Sequence, residues 1–304
     1  MEVKQMSKKY AELAKEIPIH GRNGIIKFGA ELEEDFFGWD TFSVRYCLID
    51  GCGMIPEEME KQHVHDYDQI LLFISAEPAD MLNLGAEVEV DMGTDNIRHL
   101  VAIPYGVAVP KGTPHFSPIV RRLDRPFYFL TINCTGKMAA SLADPEAVPQ
   151  NGPWNKFFGE FSKCFQHLTF ATNDPYHYGS ERNQASGGVS SLLMGGEDSP
   201  FKLTTAWTTV HLPHDLGPWR DDGLHHPHVH QEFDEALILL SLDQSNLTDL
   251  HATADFCVGE DGEDQEHYIL TKATAMAMKH GTYHLPLKYL NVDRPCVFFT
   301  IGER

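Results

Sequence analysis

Two halves of this chain say the same thing in the same order. The stretch HVHDYDQILLFIS (63–75) returns as HVHQEFDEALILLS (228–241), NLGAEVEVDMG (83–93) as DLHATADFCVG (249–259), and VPKGTPHFSPIVRRLDRPFYFLTIN (109–133) as MKHGTYHLPLKYLNVDRPCVFFTIG (278–302). The offset is 165 at His63/His228, 166 at Gly93/Gly259 and 169 at His115/His284, and it is still 169 at Asp124/Asp293. A drift of a few residues is what loop insertions leave behind when the strands between them keep register. Self-similarity of this kind restricts the chain to two copies of one folding unit, each with its own core.

Each copy reads as all-β. Runs of four to eight residues rich in Val, Ile, Phe, Tyr and Thr are broken by Gly, Pro and Asp. The first half supplies TFSVRYCLI, ILLFI, AEVEVDM, HLVAIPYGVAVP and FYFLTIN; the second supplies LTTAWTTVHL, ALILL, TADFCV, YILTKATAMAM and CVFFTIG. Short strands at close, regular spacing fit a sandwich or barrel. The N-terminal MEVKQMSKKYAELAKEIP reads as a short amphipathic helix ended by Pro18. The expected organisation is a helical segment over 1–25, one β-domain over 26–134, a connector over 135–188 rich in Pro, Gly, Asn and Ser, and a second β-domain over 189–304.

Composition removes several classes of function. A net charge of −20 argues against nucleic acid, which is bound through clustered Lys and Arg. No apolar run approaches the ~20 residues that cross a bilayer, and the charged N-terminus lacks the apolar segment of a secretory signal. The six cysteines (Cys47, Cys52, Cys134, Cys164, Cys257 and Cys296) show no C-x-x-C spacing and read as buried thiols. The sequons at Asn133 and Asn246 are then chance matches, and the expected location is cytoplasmic. The expected partner is a small molecule; homo-oligomerisation is left open.

Residues i and i+2 of a strand face the same side. His63 and His65 therefore converge on one point, as do His228 and His230. After a short polar turn the next strand opens with Gln69 in one half and Glu235 in the other, and a later Gly turn delivers His115 or His284. Three imidazoles with one oxygen donor suit a divalent transition ion such as Fe, Mn, Ni, Co or Zn. A lone H-x-H is more often a solvated pair than a ligand pair; four matched positions in two copies are a different matter. His225 and His226 fit the rim of the second site, and His99 and His267 recur between the halves in a way that structure alone could explain.

The order H-x-H, three or four residues, an acid, a long gap and P-x-G-x-x-H resembles the two motifs of the cupin superfamily, and its duplication resembles a bicupin. The likeness spans about three quarters of the chain and implies two tandem cupin (double-stranded β-helix or jelly-roll) barrels. It implies the metal ligands His228, His230, Glu235 and His284, a full match, and His63, His65, Gln69 and His115, which departs from the pattern by placing Gln where Glu is expected. Lys279 also replaces the Pro of the second motif. Gln69 is a neutral donor, so an ion there keeps its full charge; alternatively Asp68 turns inward and restores the carboxylate. The C-terminal set ranks first as a metal site, and whether the first barrel holds an ion as well is left open.

What the resemblance implies about function is a metal-dependent enzyme acting on a small, oxygen-rich or carboxylate-bearing molecule. A dioxygenase-type oxidoreductase is the leading expectation. A non-oxidative isomerase, decarboxylase or lyase is the alternative, and a non-catalytic metal- or ligand-binding bicupin the third. Candidate acid–base groups are Tyr283, beside His284, and Tyr67, between His65 and Gln69. Arg45, in the middle of TFSVRYCLI, would bind a substrate carboxylate if it faces the barrel interior. GSERN (179–183) reads equally as a lid or a linker.

Overall fold

Strands that are apolar at every position have to be covered on both faces, whereas alternating ones leave one face wet. Gln69–Ser75, Phe127–Asn133 and Glu235–Ser241 are buried at every residue. Ala86–Met92 instead alternates buried and half-buried positions. The computed structural model, which describes residues 9–22, 24–56, 59, 61–93, 97–142, 165–167, 169–171, 189–194, 203–216 and 226–303, puts the first kind in the middle of large sheets and the second kind in smaller ones.

The chain forms two compact units. One is built mainly from Pro18–Leu168, the other from Met1–Ile17, Thr169–Gly195 and Lys202–Arg304. The first has a seven-stranded antiparallel sheet, in the order Phe165–His167, Tyr105–Val109, Gln69–Ser75, Phe127–Asn133, Ser43–Ile49, Ile26–Leu32 and His20–Gly21. Its four-stranded sheet runs Gly53–Met54, Ile119–Leu123, Ala86–Met92, Ile97–Val101. The second unit repeats this scheme. Its large sheet runs Ala14–Glu16, Thr274–Met278, Glu235–Ser241, Cys296–Glu303, Leu203–Val210, Val189–Met194, Thr169–Ala171, and its small one His214–Leu216, Tyr283–Val292, Asp249–Gly259, Gln265–Lys272.

In each unit the core fills the space between the two sheets. Leu71, Phe73, Phe127 and Phe129 meet Val88, Val90 and Val120 in the first; Leu237, Leu239 and Phe298 meet Ala254, Phe256 and Leu287 in the second. The all-β, two-barrel expectation holds. Two apolar runs that read as single strands, HLVAIPYGVAVP (99–110) and YILTKATAMAM (268–278), are each split between sheets: the first falls across Ile97–Val101 and Tyr105–Val109, the second across Gln265–Lys272 and Thr274–Met278. A chain that leaves one sheet and enters the other at such a corner closes the barrel without a long loop.

The expected N-terminal helix is, among the described residues, a single 3-10 turn at Ala11–Leu13, and the chain then extends into strand Ala14–Glu16. Pairing with the open edge of Thr274–Met278 satisfies backbone groups that a three-residue stub of helix would leave unmet. No described cysteine is in a disulfide. Asn133 is fully buried, which agrees with its sequon being a chance match. No described helix is long and apolar enough to cross a membrane.

Candidate metal centres

In the first unit the two histidine motifs are stitched together by backbone. The N–H of His63 donates to the carbonyl of His115 and the N–H of His115 to that of His63, both at 3.0 Å. The turn that delivers His115 is pinned as well: Gly112, at φ 72°, donates its N–H to the His65 carbonyl at 2.7 Å. The three imidazoles are then oriented by their Nδ1 atoms, which lie 2.8, 2.9 and 2.8 Å from the carbonyls of Lys61, Ala139 and Thr113 for His63, His65 and His115. A carbonyl only accepts, so each Nδ1 carries the proton of its hydrogen bond and Nε2 is the nitrogen left for a metal. The rings are buried, at 0%, 3% and 1% exposure, and one ligand nitrogen from each falls within 4.8 Å of the others. Burial first, then the neighbouring His63 ring, pushes His115 down to about 3, so it is neutral at physiological pH.

Gln69 is the fourth candidate. Its Nε2 donates to Asn133 Oδ1 at 2.9 Å, and Asn133 Nδ2 in turn faces Ser43 Oγ and Thr131 Oγ1, both at 3.4 Å. That chain fixes the amide with its oxygen, rather than its nitrogen, on the other side. Gln69 Oε1, His65 Nε2 and His115 Nε2 are all buried and make no hydrogen bond. Buried lone pairs left in this state are costly unless something electropositive meets them. Asp68 does not turn inward: its Oδ1 accepts the Lys111 N–H at 2.8 Å and holds the turn before His115.

The second unit repeats the design with a carboxylate. His228 and His284 exchange backbone hydrogen bonds at 3.0 Å, and Gly281, at φ 81°, donates to the His230 carbonyl at 2.7 Å. Asp234 accepts the His280 N–H at 2.8 Å, as Asp68 does at Lys111. The turn forms with Lys279 as it does with Pro110, since the Thr282 N–H reaches the Lys279 carbonyl at 3.1 Å. His228 Nε2 lies 3.1 Å from His230 Nε2, and Glu235 Oε2 lies 3.0 Å from His284 Nε2 and 3.3 Å from His230 Nε2. Donor atoms about 2.0–2.2 Å from a common ion stand roughly 3–3.5 Å apart, the spacing this second set shows; in the first set the three imidazole nitrogens lie within 4.8 Å of one another. Opposite Glu235 in the sheet is Gly302, where the first unit has Asn133 opposite Gln69.

The remaining candidates divide. Tyr67 is buried and stacks on His65, with ring centroids 4.7 Å apart, and its hydroxyl accepts the Ala139 N–H at 3.3 Å. Ala139 thus grips both rings, through its N–H and its carbonyl. Phe233 stacks on His230 in the same way, at 4.1 Å. Tyr283 alternates with His284 along its strand and lies opposite Gly259, so its side chain starts on the other face from His284. Arg45 shares the face of Ser43, Cys47 and Ile49, the last two being core residues of the first barrel. Its side chain is 12% exposed, with Nε 3.4 Å from Glu31 Oε1 and Nη1 3.4 Å from the Pro56 carbonyl.

His99 pairs with the core residue Val90, whereas His267 pairs with outward Cys257, so these two histidines occupy opposite faces and are not structural equivalents. His226 is half-buried; His225 and GSERN lie outside the described residues. Sequence reasoning missed Asn133, Ala139 and Phe233. The one available signal was Asn133 standing against Gly302 in the aligned repeats.

Two sheets per unit, the same strand order twice and a His-rich donor set at the same place in each define a bicupin fold. Solved structures of oxalate decarboxylase from Bacillus subtilis share it. A point variant of that enzyme matches with 12% identity and a TM-score of 0.58, covering 96% of this chain and 77% of that one. A structure from work on its Mn(II) centres matches at 12% and 0.57, with the same coverage, and its structure at pH 4.6 at 13% and 0.58, covering 96% and 76%. No protein-family model matches the chain, and no curated protein matches it in sequence.

Proposed function

We propose that the protein is a metal-dependent enzyme acting on a small carboxylate, and that its chemistry is non-oxidative cleavage releasing carbon dioxide. This moves the reading from the dioxygenase expected first to the decarboxylase kept as its alternative. The observation that carries it is the pair of preformed donor sets in a fold shared with oxalate decarboxylase. His63, His65, His115 and Gln69 would hold one divalent ion, and His228, His230, Glu235 and His284 the other. Such an ion supplies positive charge that binds a carboxylate and stabilises the electron pair left when carbon dioxide departs. The net change is R–COO⁻ + H⁺ → R–H + CO₂.

The first barrel is the better place for that reaction. Its four ligands are all neutral, so an ion keeps both positive charges, whereas Glu235 cancels one in the second. Arg45 adds a cation on the inner face, across the sheet from Thr131; the corresponding position across from Thr300 is Ala206. Glu31 is the counter-ion of Arg45 in the absence of substrate. Tyr67 acts on this reading through His65, which it holds in orientation.

Purified protein of known metal content, incubated with a panel of small mono- and dicarboxylates, tests the proposal. Carbon dioxide released without stoichiometric uptake of dioxygen is the expected result. Uptake matched to product would return the dioxygenase, and bound metal with no turnover of any carboxylate would favour a ligand-binding role. Arg45→Ala should lower kcat/KM by about 10- to 100-fold, the worth of one charge-assisted hydrogen bond.

A further inference from the structure

A second kind of donor cluster lies outside both barrels. In Asp249–Gly259 the residues Ala254, Phe256 and Val258 face the core, so Asp255 and Cys257 project together from the opposite face. His267 is the direct cross-strand neighbour of Cys257. Its Nδ1 lies 3.0 Å from each carboxylate oxygen of Asp255 and 3.4 Å from Cys257 Sγ. One ligand atom from each of the three falls within 4.8 Å of the others. His284, a member of the barrel cluster, pairs with Val258 on the inner face, so the two groups are on opposite sides of the sheet.

The first unit shows what this face ordinarily carries. There Asp91 stands across from Arg98, with 3.8 Å between carboxylate and guanidinium, and Glu89 is gripped by Arg121 through two contacts of 2.8 Å. By position, Cys257 takes the place of Asp91, His267 that of Arg98 and Asp255 that of Glu89. A cross-strand ion pair has been exchanged for a thiol and an imidazole, which together form a chelate for a borderline-soft ion. The alternative, a nucleophilic triad, does not fit. A relay needs one ring nitrogen on the acid and the other on the thiol, whereas here Nδ1 faces both and Nε2 is 4.0 Å from Sγ.

We propose that Asp255, Cys257 and His267 form a third metal site, selective for Zn(II)-class ions over the harder ions that suit the barrels. Two anionic ligands and a neutral imidazole bring a divalent ion to overall neutrality, and the exposed His267 ring gives it a path in from solvent. Burial, then the charge of Asp255, pushes the Cys257 thiol up to about 11, with Lys288 opposing. The thiol is protonated before metal arrives, and coordination displaces the proton: Cys–SH + M²⁺ → Cys–S–M⁺ + H⁺. All three ligands stand on paired strands, so no loop has to be ordered on binding.

The test uses the full chain with excess Mn(II) present, an ion with little affinity for thiolate, and titrates Co(II) as the probe. Cobalt bound at this site should give a thiolate-to-cobalt charge-transfer absorption, which the sulfur-free barrel sets cannot produce. Cys257→Ser should abolish that absorption, and His267→Gln, at an exposed position that keeps the fold, should weaken cobalt binding by at least about tenfold. Cys52→Ser should leave it intact, because Cys52 is an exposed thiol elsewhere in the chain. Absence of the absorption, its persistence in Cys257→Ser, its loss in Cys52→Ser, or unchanged affinity in His267→Gln would each overturn the site. None of these readouts depends on the barrels or on turnover.

Discussion

Gln69 and Glu235 differ by an amide for a carboxylate, and each is matched to what stands across the sheet. Asn133 uses its carbonyl to hold the Gln69 amide, while Gly302 offers Glu235 no side chain. The charge difference leads to opposite expectations for substitution. Glu235→Ala removes the one anionic ligand of the second set and should lower metal affinity there about 100-fold or more, whereas Gln69→Ala removes a neutral donor and should cost less. Gln69→Glu should tighten binding in the first barrel, because Asn133 can turn its weakly held amide nitrogen toward the new carboxylate. Occupancy measured at each position by anomalous diffraction checks all three; expulsion of metal by Gln69→Glu would mean that the amide serves the substrate instead. Asn133→Ala leaves a buried Gln69 donor unmet and should cost about 1–3 kcal/mol of stability, read from denaturant unfolding.

The third histidine of each set depends on one turn. Gly112 and Gly281 adopt φ of 72° and 81°, and a Cβ at either would meet nothing within 4 Å. Substitution there is opposed by backbone conformation alone, so Gly112→Ala should cost about 1–2 kcal/mol, with Asn milder and Val worse. Thermal unfolding of the three variants gives that ranking, and a flat series would show that the turn relaxes. This turn was legible in the sequence, because the glycine recurs three residues before the histidine, and so was the H-x-H pairing, because strand alternation is local. What was not legible comes from partners distant in the chain. Asn133 reaches Gln69 across 64 residues and Ala139 reaches His65 across 74. Nor did any periodicity announce the edge strands Ala14–Glu16 and Phe165–His167, since three residues are too few to show a period. Charge in the first of them favoured the helical reading, and the open sheet edge decided otherwise.

Both large sheets end on a strand borrowed from far along the chain. Phe165–His167 closes the first against Tyr105–Val109, and Ala14–Glu16 closes the second against Thr274–Met278. The second closure is reinforced by Ile17, whose N–H donates to the Ala273 carbonyl at 2.9 Å and whose side chain is buried, and by Lys272 on Glu16 at 2.9 Å. Without it the apolar TAMAM strand would present an open edge, the feature through which sheets recruit other chains. Removal of residues 1–17 should therefore destabilise the C-terminal unit by about 2–3 kcal/mol, roughly the burial of one large aliphatic side chain plus its neighbours, and promote self-association. Size-exclusion chromatography and limited proteolysis of the truncated chain would report both effects; an unchanged monomer–oligomer balance and proteolytic pattern would refute them.

That first strand also sets a schedule. At a synthesis rate of about 5–20 residues per second, the ribosome makes Ala14–Glu16 roughly 15–50 s before it makes the Thr274–Met278 strand they will join. The first barrel can complete itself soon after residue 167 is released, but the second has its opening piece in hand and must wait for its last strands, Tyr283–Val292 and Cys296–Glu303. A waiting segment is safe only if it stays in solution, and MEVKQMSKKYAELAKE carries a charge at nearly every other position. The charges that made this stretch look helical are what let the chain hold its beginning in reserve until its end arrives.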